Sequence, residues 1–287
     1  MSKDESAAPY RRNKMKTPIT YYGGKQRLCR QILSMMPTHK LYCEPYFGGG
    51  AVFFGKSPSK VEVINDHDER LIIFYRQVVE NFDALQQLVQ RTLCSETEWL
   101  RARRIFYGRG EHKAADVSDL EIAWSVWVMC NMSYSASPNC GWKWDNAAST
   151  PRMLEAKRSS FTQAIRDRLA TVQISCRDAV TVIEQRDTAD TFFYLDPPYV
   201  GCQQQHYKGF TPEEFNILLT TLSMLKGKFI LSHFWNDQLR EAVDKFRWNV
   251  VAIDSMMTVA NNCRTTLKRK QELLVYNYDI VDLFHRI

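Results

Sequence analysis

The chain has 287 residues, of which 45% are hydrophobic and 24% are charged. This composition is typical of a folded protein and excludes extensive disorder, and the length suffices for one large domain with or without a smaller insertion. The formal net charge of +6 fits a polyanionic partner. No apolar stretch approaches the roughly 18 residues that a membrane helix needs, so we expect no membrane association.

Short β-like runs alternate with helical stretches from Leu41 onward, which predicts an α/β sheet. In chain order, the first predicted elements are a helix over 26–36, a strand over 41–43, a helix that opens at 51–54, a strand over 61–64 and a helix over 68–90. The sheet pattern then lapses between 91 and 166, where it predicts one buried helix over 120–129 and an irregular polar segment over 131–150.

The sheet pattern resumes after this interruption. The remaining predicted elements are strands over 172–176, 191–195, 228–232, 250–253 and 272–276, and a helix over 212–225 with Thr211 as its N-cap. A single sheet interrupted once predicts a discontinuous domain, formed by 17–90 and 167–287, with a module inserted over 91–166. The polar and basic residues 1–16 lack the apolar segment of a secretory signal, which predicts a solvated tail.

The eight cysteines are scattered, and no two of them form a Cys-x-x-Cys pair. Because no histidine pair completes a ligand set either, we expect no metal site. Reduced thiols in a cytoplasmic protein are the favoured interpretation, and we expect Cys130 and Cys140 to stay unpaired.

The segment 44–50, with the sequence Glu-Pro-Tyr-Phe-Gly-Gly-Gly, lies between a predicted strand and a predicted helix. Three consecutive glycines permit positive φ values and a close approach of the backbone to a ligand. Asp66 ends the next strand, at about the separation that a dinucleotide fold uses for its ribose-binding carboxylate. Neither Gly-x-Gly-x-x-Gly nor a P-loop is present, which argues against nicotinamide cofactors and nucleoside triphosphates. A nucleoside-binding loop and a purely structural turn are the two interpretations.

The sequence Asp196-Pro197-Pro198-Tyr199 follows a wholly apolar run, as expected after a buried parallel strand. Two prolines fix φ and form a rigid ledge at the sheet edge. Asp196 and the Pro197 carbonyl can accept the two N–H bonds of an amino-base and aim its lone pair at a methyl donor, while Tyr199 stacks on the ring. A base in a duplex must leave the stack to reach such a ledge. The alternative is a structural bend capped by Asp196.

These motifs resemble, in the same order, those of the Dam-like, D12-type class of DNA adenine methyltransferases. The resemblance covers about 17–278 and is weak in the middle third. The segments that carry it are 21–25 (Tyr-Tyr-Gly-Gly-Lys), 44–54, 65–72 and 196–199. It implies a Rossmann-like sheet that binds S-adenosylmethionine, with an inserted, mainly helical target-recognition domain. It also implies methyl transfer to the N6 amine of a flipped-out adenine in double-stranded DNA, by a cytoplasmic bacterial or phage-encoded enzyme that acts as a monomer or as a dimer on DNA.

The resemblance also implies roles for individual residues. Lys25 would lie near the carboxylate of the cofactor, Asp66 at its ribose, and Asp178 at its adenine amine, although Asp178 could equally be a turn or cap residue. The implied catalytic residues are Asp196, Pro197, Pro198 and Tyr199. The implied cofactor-binding residues are Tyr22, Gly23, Gly24, Lys25, Glu44, Pro45, Phe47, Gly48, Gly49, Gly50, Asp66 and Asp178.

Recognition of DNA is expected from the insert, since Arg can pair with guanine and Asn with adenine, although most basic contacts go to phosphate. We assign Trp124 and Trp127 to the core, and Trp142 and Trp144 to stacking or to filling the gap left by a flipped base. The candidate DNA contacts are Arg101, Arg103, Arg104, Asn131, Ser133, Tyr134, Asn139, Trp142, Arg264 and Lys268.

Two alternative functions are open. One is an amino-methyltransferase that acts on cytosine N4 or on adenine in RNA, and the other is a non-catalytic DNA-binding protein on a methyltransferase scaffold. By resemblance, the aspartate that opens 196–199 favours adenine, because cytosine enzymes more often have serine there. The presence of Lys25, Asp66, Asp196 and Tyr199 argues against a non-catalytic scaffold.

Overall fold

The computed structural model describes residues 15–108, 117–200, 210–255 and 270–280. The predicted tail therefore falls outside the described residues except for positions 15 and 16, and the candidate DNA contacts Arg264 and Lys268 fall outside them entirely. The described strands are β1 (Leu41–Glu44), β2 (Val61–Asn65), β3 (Gln173–Ser175), β4 (Thr191–Leu195), β5 (Lys228–His233), β6 (Asn249–Ser255) and β7 (Lys270–Tyr276).

These strands form one sheet in the order β3-β2-β1-β4-β5-β7-β6. Strands β1 to β5 pair in parallel, whereas β7 is antiparallel to both of its neighbours, β5 and β6. From β1 the chain adds β2 and β3 on one side of the sheet, and from β4 it adds β5 on the other side, where β7 lies between β5 and the edge strand β6. The boundary between β1 and β4 is thus a topological switch point, where doubly wound sheets bind their ligands. The predicted α/β sheet is confirmed, since each predicted strand overlaps an observed one.

The described helices cover both faces of this sheet. They are α1 (Cys29–Met35), α2 (Ala51–Gly55), α3 (Glu69–Glu80), α4 (Phe82–Arg91), α5 (Glu96–Tyr107), α6 (Asp119–Met132), α7 (Ser149–Ser160), α8 (Gln163–Leu169), α9 (Ala179–Arg186), α10 (Pro212–Ser223) and α11 (Asp237–Phe246).

The start of α10 confirms the predicted cap. The Thr211 hydroxyl accepts from the Glu214 amide at 3.2 Å, and the Glu214 carboxylate accepts from the Thr211 amide at 2.8 Å, with Pro212 in the first turn. This reciprocal pair satisfies two amides that a helix N-terminus leaves without partners.

The single helix predicted over 68–90 is wrong, because the structure contains two helices separated at Asn81. Asn81 has φ −135° and ψ 41°, and its side-chain amide donates to the Gln77 side chain at 2.9 Å. The bend lets buried Phe82 stack on Phe161, with ring centroids 5.5 Å apart. Tertiary packing of an aromatic side chain thus overrides a continuous helical pattern.

Two hydrophobic clusters fill the layers on either side of the sheet. One lies beneath α9, α10 and α11, and the other joins α1 to α8 with the opposite face. Helix α6 is buried on all sides, and Trp124 and Trp127 lie in the core as predicted. In the insert, the predicted irregular segment contains a short 3₁₀ turn (Tyr134–Ala136) and ends where α7 begins.

Within the described ranges, no helix has the length and apolar character needed to cross a membrane. The same residues contain no group of three or more His, Cys, Asp or Glu side chains placed to hold a metal ion. Cys130 and Cys140 are both free thiols.

Candidate active site

A cavity of about 930 Å³ opens at the carboxyl edge of the sheet, across the switch point between β1 and β4. Every predicted cofactor-binding and catalytic residue lines it, from Tyr22 in the turn before α1 to Tyr199 after β4. The carboxyl ends of parallel strands meet at one edge, which explains how segments so distant in the chain converge.

The glycine loop is held in place by the protein itself. Gly48 and Gly50 have φ values of 49° and 63°. A Cβ at Gly50 would lie 2.5 Å from the Phe47 ring, and a Cβ at Gly49 would lie 2.7 Å from the Tyr21 side chain. The structural interpretation of the glycines therefore holds, because two aromatic side chains pack directly against the loop. The ligand-binding interpretation also fits, since the same backbone lines the cavity.

Asp66 anchors this loop from the end of β2. Its carboxylate accepts from the Gly48 amide at 2.8 Å and from the Asp68 amide at 3.0 Å. Burial raises the pKa of Asp66 to about 6, while the two amide donors act in the opposite direction. Asp66 thus fixes the position of the glycine loop and also presents its carboxylate to the cavity.

The part of the cavity around Lys25, Asp196 and Tyr199 is called the catalytic corner, after the predicted catalytic motif. It is built around the buried ammonium group of Lys25. Lys25 donates to both carboxylate oxygens of Asp196, at 2.7 and 2.8 Å, and to the Gly23 carbonyl at 3.1 Å. Burial lowers the pKa of Lys25, but the adjacent Asp196, Tyr199 and Glu272 raise it above its ordinary value. Burial raises the pKa of Asp196, and this effect outweighs the opposing influence of Lys25. Lys25, predicted as a cofactor contact, is thus joined directly to the predicted catalytic motif.

Tyr199 is oriented by a carboxylate that the sequence did not single out. Its hydroxyl donates to Glu272 Oε1 at 2.9 Å and lies 3.4 Å from Asp196 Oδ1. Glu272 also accepts from the Ser232 hydroxyl at 2.9 Å and lies 3.2 Å from the Lys25 ammonium. One signal was present in the sequence, since Glu272 is a charged residue in the apolar run of the last strand.

Two further polar groups line the cavity at the ends of β1 and β4. Glu44 is buried and accepts from the Tyr42 hydroxyl at 2.6 Å, and burial raises the pKa of Glu44 to about 8. Tyr194 is only 1% exposed, and its hydroxyl has no hydrogen-bond partner among the described residues. Tyr194 could not be recognised from the sequence, because it stands in a wholly apolar strand.

Asp178 also lines the cavity and caps α9. Its carboxylate accepts from the Thr181 amide at 2.8 Å and from the Thr181 hydroxyl at 3.0 Å. The capping interpretation of Asp178 is therefore confirmed, and its place in the cavity wall is compatible with a ligand contact.

The predicted insert over 91–166 contributes residues to the cavity wall and contains an exposed basic helix. Phe106, Tyr107 and Asn139 line the cavity, and the Tyr107 hydroxyl is hydrogen-bonded to Asn139. Arg101, Arg103 and Arg104 are exposed on α5. The Arg101 guanidinium lies 4.8 Å from the Trp124 ring, and that of Arg103 lies 5.5 Å from the Tyr107 ring.

Two candidate DNA contacts lie in the interior instead. Asn131 is 5% exposed, accepts from the Thr20 amide at 3.0 Å, and donates to the Trp127 carbonyl. Ser133 is 1% exposed and accepts from the Trp99 indole at 2.9 Å. Their side chains are committed to internal hydrogen bonds, so we remove them from the set of DNA contacts.

The polar loop of the insert contains the remaining aromatic candidates. Trp142 is half-buried and packs against the core, whereas Tyr134 and Trp144 are 60% and 63% exposed. Of these three residues, Tyr134 and Trp144 offer the more accessible rings.

A doubly wound sheet with a glycine loop after β1 and an Asp-Pro-Pro-Tyr loop after β4 defines a Rossmann-like methyltransferase. Residues 21–258 match the family described as D12 class N6 adenine-specific DNA methyltransferases. The chain belongs to this family and is an adenine-specific DNA methyltransferase by that membership.

Curated relatives agree with this assignment at low identity. The chain is 25% identical to the type II methyltransferase M1.LlaDCHI of Lactococcus lactis subsp. cremoris, over 91% of this chain and 95% of that protein. It is also 25% identical to the type II methyltransferase M.MjaIII of Methanocaldococcus jannaschii, over 91% of this chain and 98% of that protein. The modification methylase StsI of Streptococcus sanguinis is 24% identical over 92% of this chain, which spans 43% of StsI.

Proposed function

We propose that this protein transfers a methyl group from S-adenosylmethionine to the N6 amine of an adenine flipped out of double-stranded DNA. The observation that carries the proposal is the convergence of 22–25, 44–50 and 196–199 on one cavity. Family membership supplies the reaction class, and the geometry supports the roles of the individual residues.

The cavity suits a nucleoside cofactor with a charged amino-acid end. Asp66 and the glycine loop would hold the ribose, with Asp178 at the base and Lys25 near the carboxylate. The Tyr194 hydroxyl supports this fit, because it is buried in the cavity wall without a partner among the described residues and is available to a bound ligand. The volume of about 930 Å³ lies near the upper end for single-ligand sites, which leaves room for a base beside the cofactor. S-adenosylmethionine would supply an electrophilic methyl group on a sulfonium.

The chain's own residues would prepare the nucleophile. The exocyclic amine of adenine is a weak nucleophile because its lone pair is conjugated with the ring. Asp196 and the Pro197 carbonyl, as two fixed acceptors, would draw the amine toward tetrahedral geometry and direct its lone pair at the methyl group. Tyr199 would support the ring of the base. Lys25 donates to both oxygens of Asp196 in the structure, so a shift of its ammonium would free acceptor positions of Asp196 for the amine.

The basic face of α5 is the proposed DNA contact. Its exposed arginines precede Phe106 and Tyr107, which line the cavity, so phosphates bound there would lie beside the cavity mouth. Tyr134, Asn139 and Trp144 in the following loop are the proposed contacts with bases or with the gap that a flipped base leaves.

Incubation with methyl-labelled S-adenosylmethionine and unmethylated bacterial DNA tests the proposal, if the product is digested to nucleosides. Label in N6-methyl-2′-deoxyadenosine from double-stranded DNA is the expected result. Label in cytosine would show that the substrate is another amino-base. Label in RNA only would show that the substrate is another nucleic acid. Intact cofactor binding without any transfer to DNA or RNA would favour a binding role, and absent cofactor binding would overturn the assignment of the glycine loop.

A further inference from the structure

We infer that Glu272 is a positioning residue of the methyl-transfer site, which holds Lys25 and Tyr199 while Asp196 exchanges the Lys25 ammonium for the amine of the target base. This inference rests on the proposed function. It concerns a residue that lies beyond the 21–258 region matched to the family.

The fold brings Glu272 to the catalytic corner through the direction of β7. Strand β7 runs antiparallel to β5, so its beginning lies at the edge where the parallel strands end. Leu273 and Val275 face the cluster beneath α10, whereas Leu274 and Tyr276 face the opposite cluster. Because side chains alternate along a strand, Glu272 lies on the same face of the sheet as Leu274. On that face it contacts Lys25 and Tyr199.

One oxygen of Glu272 lies close to three hydrogen-bond donors. Oε1 lies 2.9 Å from the Tyr199 hydroxyl, 2.9 Å from the Ser232 hydroxyl and 3.2 Å from the Lys25 ammonium. The Tyr199 hydroxyl has a single proton, and the shorter distance to Glu272 than to Asp196 (2.9 against 3.4 Å) assigns that proton to Glu272. Glu272 therefore fixes the orientation of the tyrosine and leaves Asp196 free of it.

Glu272 also offers Lys25 a second carboxylate partner when the target base binds to Asp196. A buried ammonium that loses its carboxylate partner is strongly destabilised. When the base amine takes up hydrogen bonds to Asp196, Glu272 is the second carboxylate of the chain itself within reach of Lys25. A small movement of the ammonium toward Glu272 keeps it paired and exposes the Asp196 oxygens to the amine.

The charges of the cluster agree with this role. Lys25, Asp196 and Glu272 sum to −1 when all three are ionised, which complements a cationic methyl donor. Without the Glu272 charge the sum is zero, and Lys25 has Asp196 as its one carboxylate partner in the described structure. The ammonium would then hold Asp196 more tightly and oppose binding of the amine.

The test compares Glu272→Gln, Glu272→Asp and wild type, with Glu241→Gln as the matched control, because Glu241 is exposed on α11 and lies outside the cavity wall. We expect Glu272→Gln to lower kcat at least tenfold, with the Kd for S-adenosylmethionine within threefold of wild type. Glu272→Asp, which restores the charge on a shorter side chain, should recover part of the kcat. Glu241→Gln should match wild type.

The pH dependence of kcat separates positioning from mere folding. Loss of the Glu272 charge removes a repulsion from the Asp196 carboxylate and so lowers the pKa of Asp196. In Glu272→Gln, the acidic limb of the pH profile of kcat, which reports protonation of Asp196, should therefore move to lower pH. In Glu272→Asp this limb should return toward its wild-type position. The titratable or charged groups that face Asp196 or its ammonium partner are Lys25, Glu44, Tyr194, Tyr199, His233 and Glu272.

Two results would overturn the inference. One is a Glu272→Gln enzyme with kcat within twofold of wild type and an unmoved acidic limb. The other is a parallel loss of Tm, cofactor affinity and kcat without a shift of the limb, which would make Glu272 purely structural. Failure of the proposed function is distinguishable from both, because wild type itself would then transfer no label to adenine in DNA.

Discussion

Lys25 and Asp196 are separated by 171 residues in the chain, yet the Lys25 ammonium donates to both oxygens of the Asp196 carboxylate at 2.7 and 2.8 Å. One residue stands in a turn before α1 and the other in the loop after β4. Their contact joins the predicted cofactor segment to the predicted catalytic segment. A change to either partner removes the nearest opposite charge of the other in a mostly buried place, although Glu272 still lies 3.2 Å from the Lys25 ammonium.

Replacement of Lys25 tests the strength of this pair. Lys25→Met leaves Asp196 and Glu272 facing each other without a cation, so we expect the free energy of unfolding to fall by about 3–5 kcal/mol and methylation to be lost. Urea denaturation measures the first effect. Lys40→Met is the control, because the Lys40–Asp190 pair is exposed and such pairs contribute about 0–1 kcal/mol. Equal losses in the two variants would contradict the prediction.

Removal of the Asp196 carboxylate should separate catalysis from cofactor binding. Asp196→Ala eliminates one of the two acceptors for the base amine, and we expect methyl transfer to fall by at least about a hundredfold. The Kd for S-adenosylmethionine, measured by calorimetry, should stay within a few-fold of wild type. Near-normal turnover in this variant would show that Asp196 does not act on the amine.

Asp66 should control cofactor affinity through the glycine loop. Asp66→Ala removes the acceptor for the Gly48 and Asp68 amides, so the loop loses its anchor. We expect the Kd for the cofactor to rise at least about tenfold, which corresponds to about 1.4 kcal/mol. Asp190→Ala, at an exposed carboxylate outside the cavity wall, is the control. An unchanged Kd in Asp66→Ala would refute the anchoring role.

Glu44 should make stability depend on pH. Burial raises the pKa of Glu44 to about 8 in the folded chain, against 4.5 for the ordinary side chain. Between pH 4.5 and about pH 8, the folded state therefore keeps a proton on Glu44 that the unfolded state has released. The contribution of Glu44 to the free energy of unfolding is fully present below pH 4.5 and is lost as the pH rises through about 8. The free energy of unfolding should fall, relative to Glu44→Gln, by up to about 1.4 kcal/mol per pH unit over this window. Parallel profiles for wild type and Glu44→Gln would contradict this.

Binding to DNA should weaken as salt concentration rises. Each phosphate contact contributes about −0.9 to the slope of log K against log salt, so several contacts give a slope of several units. Arg104→Ala should reduce the magnitude of this slope by about one unit, without a change in the preferred sequence. Binding that does not respond to salt would exclude the basic face of α5 as a phosphate contact.

The strands could be predicted from the sequence because most of them contain a short run of apolar residues, of which the fully buried β4 is the clearest example. Helices α5, α7, α8, α9 and α11 were not predicted, since few residues in each are apolar and buried (Leu239 and Ala242 in α11). The break at Asn81 was also missed, because it depends on the contact of Phe82 with Phe161, a residue far along the chain.

The candidate site divides in the same way. Residues that occur in contiguous motifs, such as Lys25, Asp66 and Asp196, could be located from their spacing in the chain. Glu272 and Tyr194 could not, because no motif surrounds either residue in its strand, although Glu272 is a charged residue within an apolar run. Their importance comes from the direction of that strand and from the neighbours that only the folded sheet provides.

The position of β7 between β5 and β6 also bears on the timing of folding during synthesis. Strand β6 leaves the ribosome before β7. Among the described strands it pairs with β7 alone, so it cannot join the sheet until β7 has been synthesised. Glu272 arrives with that same strand. A nascent chain that already contains the glycine loop and the Asp-Pro-Pro-Tyr loop therefore still lacks one carboxylate of its catalytic corner. The enzyme would become competent in one late step, when its seventh strand docks.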